Sequence, residues 1–205
     1  MNKARLDYWQ DVYTKKKENE VSWFQPRPAL SIELIEAADV DSQSAIIDIG
    51  GGASRLVDGL LARGYRDLTV LDVSEAALSV ARQRLGDRGR DVRWIVSDDT
   101  QWKPDRKYDV WHDRAAFHFL TGREDQDAYL RALDAATAPG AIAIISGFAP
   151  DGPDKCSGLP VVRYDAQSLS KRIGAGFELL TERREAHQTP GCSVQKFYYA
   201  VLRKA

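Results

Sequence analysis

"IIDIGGGASRLVDGL", residues 46–60, sets three consecutive glycines between an apolar run and a helix-like one. The apolar run, "AIIDI" from Ala45, has the length and continuity of a buried parallel strand. The stretch that follows predicts a helix over 53–63, closed by Gly64. Glycine at a strand-to-helix turn allows a tight loop and lets a ligand approach the backbone closely. In open α/β sheets ligands bind beyond the carboxyl ends of the strands, at the point where strand order reverses.

The same rhythm continues downstream. "DLTVLDV" predicts a second strand, and Ser74 is placed to cap a helix reaching Leu85, with Glu75 in its first turn. "VRWIV" and "YDVWHD" predict the third and fourth strands, a helix is expected over 123–136, and "GAIAIISGF" predicts the fifth strand. Asp165 is placed to cap a short helix to Ile173. "GFELLTERREA" and "VQKFYYAVLRK" predict two last strands, the second alternating Phe197, Tyr199 and Val201 against Tyr198, Ala200 and Leu202. The link between them is too short for a helical crossover, so they should pair antiparallel. Upstream, helices are expected over 4–17 and from Pro28 to Ala38, separated by the proline-broken "VSWFQPRPAL". The expected fold is therefore α/β: a doubly wound, mostly parallel seven-stranded sheet, helices on both faces, and a C-terminal antiparallel hairpin. One domain is expected, with residues 1–43 as a helical cover and 44–205 as the core.

Composition narrows the function less. The 205 residues carry 29 Lys and Arg against 30 Asp and Glu, a net charge of −1, which does not advertise nucleic acid or an anionic membrane as partner. The N-terminus is charged and lacks the apolar core of a signal peptide, and no run approaches a membrane span. Cys156 and Cys192 have no metal-type spacing, so no metal site is expected and free thiols in the cytoplasm are.

The glycine run, Gly50, Gly51 and Gly52, is not a dinucleotide fingerprint, because Arg55 stands where the third glycine of G-x-G-x-x-G belongs. No phosphate loop is present either. Asp48 points an acid at the loop, which would repel a diphosphate and attract a cationic amine. Asp72, ending the second strand beside Val73, is placed to accept both hydroxyls of a ribose. Asp98, with Asp99 as the adjacent alternative, is placed to accept from an adenine amino group. A ribose, an adenine and a cationic tail without phosphate describe S-adenosyl-L-methionine.

"DIGGGAS", "LTVLDVS", "IVSDDTQW" and "YDVWHDRAAFHFL" together resemble the successive motifs of the class I S-adenosylmethionine-dependent methyltransferases, over residues 44–148. The resemblance implies that Asp48, Gly50 and Gly52 line the methionine part, Asp72 holds the ribose and Asp98 meets the adenine. "YWQDVYTKK", "VSWF" and "DRAAFHFL" are similar to elongation-factor and citrate-synthase lysine methyltransferases. Those carry an Asp-Lys-Gly-Thr-like run where this chain has Asp113-Arg114-Ala115-Ala116. "WHDRAAF" is also similar to the Trp-Asp-Arg-Gly-Ala run of thiopurine methyltransferases, which act on small thiols.

The expected function is methyl transfer to an N, S or O nucleophile of an unidentified small molecule or protein side chain. The alternatives are a non-catalytic binding module and a nicotinamide oxidoreductase, the latter disfavoured by Asp48 and Arg55. No Ser-His-Asp arrangement is expected, and its absence is no objection, because methyl transfer needs a base only when the nucleophile must lose a proton. His118 is the candidate base, and Asp113 a candidate to orient an amine or the cofactor's amino end. His112 faces away from Asp113 by strand alternation and reads as structural. Trp23, with Trp9, Tyr13 and Phe24, is placed to close over a sulfonium. The segment 149–165, which contains Cys156 and Arg163, is expected as a substrate lid.

Overall fold

The computed structural model describes residues 3–205; residues 1 and 2, the start of the expected cover, lie outside the described residues. Helix α1 (Lys3–Lys15) is followed by a 3-10 turn at Glu18–Glu20 and by α2 (Ala29–Glu36), which starts directly behind Pro28. Strand β1 (Ile46–Ile49) is buried along its whole length, as a strand with parallel neighbours on both sides must be. Helix α3 (Leu56–Leu61) is shorter than expected, because Gly50 and Gly52 turn at φ of +65° and +45° and the loop continues through Ser54.

Strand β2 (Leu68–Asp72) leads into α4 (Glu75–Leu85), whose N-cap Ser74 accepts from the Ala77 amide at 3.2 Å. Then come β3 (Arg93–Val96), β4 (Tyr108–Arg114), α5 (Arg123–Ala136) and β5 (Thr137–Phe148). The 149–165 segment is not wholly irregular. It holds a minimal hairpin, β6 (Lys155–Cys156) and β7 (Leu159–Pro160). Asp165 caps α6 (Ala166–Ile173) through the Ser168 amide at 2.7 Å, and β8 (Phe177–Gln188) and β9 (Val194–Lys204) close the chain.

Seven strands form one sheet in the order β3-β2-β1-β4-β5-β9-β8. The first five pair in parallel, while β9 pairs antiparallel to both β5 and β8. Strand order reverses between β1 and β4, so the carboxyl ends of those strands flank the switch point. Side chains alternate across the sheet. Val110, Ile144, Phe197 and Tyr199 pack with Ile32, Ile35, Leu60 and Leu78 on one face. Trp111, Ile145, Tyr198 and Leu202 pack with Tyr129, Leu133 and Leu169 on the other. Burying each such leucine or isoleucine contributes about 1.5–3 kcal/mol. Among the described residues no helix is long and apolar enough to cross a membrane.

Candidate active site

The three glycines are crowded by the protein itself. A Cβ on Gly50 would fall 2.7 Å from the Ala116 Cβ, one on Gly51 2.5 Å from Asp48 Oδ2, and one on Gly52 2.8 Å from Asp72 Oδ2. The loop is thus glycine because two carboxylates from β1 and β2 and the turn after β4 close in on it. What results is a cleft at the switch point with two adjoining lobes. Tyr13, Trp23, Gly50 and Arg114 line both.

Leu71, Asp72, Val73, Ser97 and Asp99 form the polar end of the first lobe. Asp72 Oδ1 accepts from the Ser74 amide at 2.7 Å. Burial nevertheless pushes this carboxyl up to about 7, and the nearby Asp99 and Asp48 add to the rise. Asp99, not Asp98, reaches the lobe. Asp98 turns inward to accept from the Thr100 amide at 3.0 Å and the Thr100 hydroxyl at 2.6 Å. Those bonds and Arg5 hold the Asp98 carboxyl below its ordinary range although burial works against them. Arg5 of α1 donates to Asp99.

The second lobe contains Asp48, Gly51, Arg55, Phe24, Ser31 and His112. His112 does face away from Asp113, as alternation required, but it is more than packing. Its Nδ1 lies 2.7 Å from Asp48 Oδ1 and its Nε2 2.9 Å from the Ser31 hydroxyl. A Ser–His–Asp chain is therefore present, assembled from α2, β4 and β1.

Two expected catalytic residues do not reach the cleft. Asp113 is fully buried beneath it and accepts from the Ala116 amide at 2.8 Å, the Phe117 amide at 3.0 Å and the Tyr129 hydroxyl at 2.6 Å. It clasps the turn after β4, where Ala115 sits at φ +72°. His118 stands on a 3-10 turn (Phe117–Phe119), buried edge-on against Phe119 and Phe148 with ring centroids at 4.3 and 5.0 Å. Neither ring nitrogen has a partner, and burial with the nearby Arg114 cation pushes its pKa down to about 3. Held behind Phe119, His118 lines neither lobe of the cleft. Arg163 also lies outside the cleft and donates to the Gly152 carbonyl at 3.0 Å.

Three of the four aromatic residues expected from sequence, Trp9, Tyr13 and Trp23, come together, while Phe24 packs under Arg55 in the second lobe. Trp23 Nε1 donates to the Tyr13 hydroxyl at 3.1 Å, and Trp9 stacks edge-on between Trp23 and Phe119 at 5.6 and 5.0 Å. The group's support comes from the far end of the chain. Arg114 donates to the Trp23 carbonyl, to Glu185 and to the Tyr199 hydroxyl, and its guanidinium lies 4.1 Å over Phe197. Glu185 accepts from Gln25, and His187 donates to the Ser22 carbonyl at 2.8 Å. Helix α1 lies across the cleft. Gln10 accepts from the Ser74 hydroxyl and the Ala76 amide, while the Tyr8 hydroxyl meets Ser157 of the β6–β7 hairpin. Cys156 of that hairpin lines the first lobe, its thiol pushed up by burial to about 12.

Arg5, Ser31 and Glu185 carried no local signal in the sequence. Each reaches the site from an element whose own pattern reads as surface or core.

Fold and site together define a doubly wound α/β protein with a carboxylate-lined cleft at its switch point. Residues 47–143 match the family model described as "Methyltransferase domain". The chain is 28% identical over 191 residues to "EEF1A lysine methyltransferase 2" of Danio rerio, covering 86% of this chain and 76% of that one. It is 24% identical over 131 residues to "eEF1A lysine and N-terminal methyltransferase" of Mus musculus, covering 62% of this chain. It spans only 18% of that mouse protein's length. In fold it is similar to the 1,6-didemethyltoxoflavin-N1-methyltransferase of Burkholderia thailandensis, solved with 1,6-didemethyltoxoflavin and S-adenosylhomocysteine. That similarity has a TM-score of 0.69 at 20% identity, over 98% of this chain and 84% of that one. Residues 47–143 thus match a methyltransferase-domain model, and the fold is that of the class I S-adenosylmethionine-dependent methyltransferase family. S-adenosyl-L-methionine is the cofactor of that family, and the cleft fits it: Asp72 and Asp99 meet one lobe, Asp48 meets the other, and aromatic rings stand between them.

Proposed function

We propose that this chain methylates an amine nitrogen on a protein, a lysine side chain or a chain N-terminus, in the cytoplasm, with residues 1–43 covering the 44–205 core. The observation that carries the reading is the similarity to the Danio rerio lysine methyltransferase over most of both chains. In this reading Asp72 accepts the ribose hydroxyls and Asp99, beside Val73, accepts from the adenine amino group. Asp98 holds their turn. The Gly50–Gly52 backbone runs along the methionine tail, and Asp48 accepts from its ammonium group. Trp9, Tyr13, Trp23 and Phe119 surround the reacting centre, where aromatic faces favour a cation.

When bound, S-adenosyl-L-methionine supplies a methyl group on an electrophilic sulfonium. The protein's part is position and field. Holding an acceptor in line about 3–3.5 Å from that methyl removes several kcal/mol of barrier. Arg114, fixed by Glu185 and Tyr199 where the two lobes meet, adds a permanent positive charge. A cation beside an amine disfavours its protonated form. The pairing of Arg114 with Glu185 offsets part of that charge, and an acceptor amine would lose its proton to solvent before attack.

A small-molecule acceptor is the second reading. It is favoured by α1 and the β6–β7 hairpin, which wall the first lobe from outside. Methyl-labelled cofactor added with the protein to a desalted lysate, and separately to a metabolite extract, distinguishes the two. Label retained on protein supports the amine reading. Label only in small molecules overturns it. Transfer to neither, with intact binding of S-adenosylhomocysteine, favours a non-catalytic binding module.

A further inference from the structure

The Ser31–His112–Asp48 chain copies the connectivity of a hydrolase triad, with the hydroxyl on Nε2 and the carboxylate on Nδ1. Its order of exposure is reversed. Ser31 is 1% exposed, His112 2% and Asp48 6%, so of the three residues lining the second lobe the carboxylate keeps the most exposure. A nucleophilic serine would stand at the opposite end. The free oxygen of the chain, Asp48 Oδ2, lies against the glycine loop, 2.5 Å from where a Gly51 Cβ would stand. Among the described residues it accepts no hydrogen bond.

We propose that His112, itself oriented by Ser31, is a positioning residue. It holds Asp48 Oδ1 so that Oδ2 is presented to the ammonium group of the cofactor's methionine tail. The inference rests on the reading of Asp48 given above.

The chemistry is directional. The Ser31 hydroxyl donates to Nε2, which leaves the ring proton on Nδ1 for Asp48. A carboxylate that already accepts one bond on a fixed oxygen has its plane and its second oxygen fixed as well. Sequence register places the pair. Asp48 and His112 are partners across β1 and β4, on the face covered by α2, whose third residue is Ser31. An ammonium group meeting a pre-oriented carboxylate loses less in ordering than one meeting a side chain free to rotate.

The test compares two ligands by calorimetry on the full chain. S-adenosylhomocysteine carries the amino-acid tail. 5′-Methylthioadenosine carries the adenosine and sulfur without it. Asp48→Asn and His112→Leu should each weaken S-adenosylhomocysteine about tenfold or more, while 5′-methylthioadenosine changes less than about twofold. His112→Asn, whose amide donates where Nδ1–H did, should recover most of the loss. Equal weakening of both ligands by His112→Leu would make His112 ordinary packing and end the proposal. A selective loss in Asp48→Asn with none in either His112 variant would also end it, leaving the role of Asp48 intact. No selective loss in Asp48→Asn would overturn the reading of Asp48, and the proposal with it. If His112→Leu does not fold, Ser31→Ala decides. A selective loss supports the proposal, and an unchanged ligand ratio ends it.

Discussion

Asp72 shows how a single carboxyl group makes the cleft sensitive to pH. Its pKa of about 7 is set first by burial, with Asp99 and Asp48 raising it and the Ser74 amide and Arg5 lowering it. A raised carboxyl binds its proton more tightly folded than unfolded. Its contribution to stability is therefore full below the unfolded value near 4 and is lost as pH rises through about 7. Ligand binding has the opposite sign, because ribose hydroxyls donate to the ionised form. Affinity for S-adenosylhomocysteine should fall as pH drops below 7, by up to about tenfold per unit. Asp72→Asn should bind weakly with a flat profile, and a flat profile in the parent would remove the ribose role. That Asp48, Asp72 and the Asp98–Asp99 pair would stand at the cleft was legible from strand ends, whereas Asp113, expected there on the same grounds, is buried beneath it. Which of Asp98 and Asp99 faces the cleft was not legible, because a two-residue turn with Thr100 decides. His118 misled for a similar reason. Its 3-10 turn points inward, and no spacing announces that. His118→Leu should leave binding and turnover within about twofold and stability unchanged or higher, since two unpartnered buried nitrogens disappear. A large loss of turnover, with binding intact, would return it to the chemistry.

At the scale of elements, the turn after β4 depends on a carboxylate beneath it. Asp113 receives two amides and a tyrosine hydroxyl in a fully buried position, and the clasp holds Ala115 in the left-handed region. Asp113→Ala leaves those donors unpaired, and should destabilise the protein by roughly 2–5 kcal/mol. Thermal unfolding checks it, and an unchanged Tm would mean that water replaces the clasp. Most elements were readable because their faces are. The alternation in β9 and the continuous apolar run of β1 follow from burial on two faces. The β6–β7 hairpin was invisible, since two residues per strand leave no period to detect.

Over the whole molecule, the cleft is completed by pieces that are remote in the chain. The β8–β9 hairpin supplies Glu185, His187 and Tyr199 to hold the segment that presents Trp23, more than 150 residues earlier. Nothing local in "TERREAHQ" hints at that task, and only the sheet order β5-β9-β8 brings it there. Helix α1 closes the other side, fastened to the start of α4, to the β6–β7 hairpin and, through Arg5, to Asp99. Traffic through such a doorway has a speed limit. If α1 must lift for ligand to pass, exchange with a spent molecule should run no faster than those fastenings let go. Rapid mixing with S-adenosylhomocysteine, followed by the fluorescence of Trp9 and Trp23, should give a rate that climbs and then levels off with concentration. A rate that climbed in proportion throughout would mean the doorway stands open.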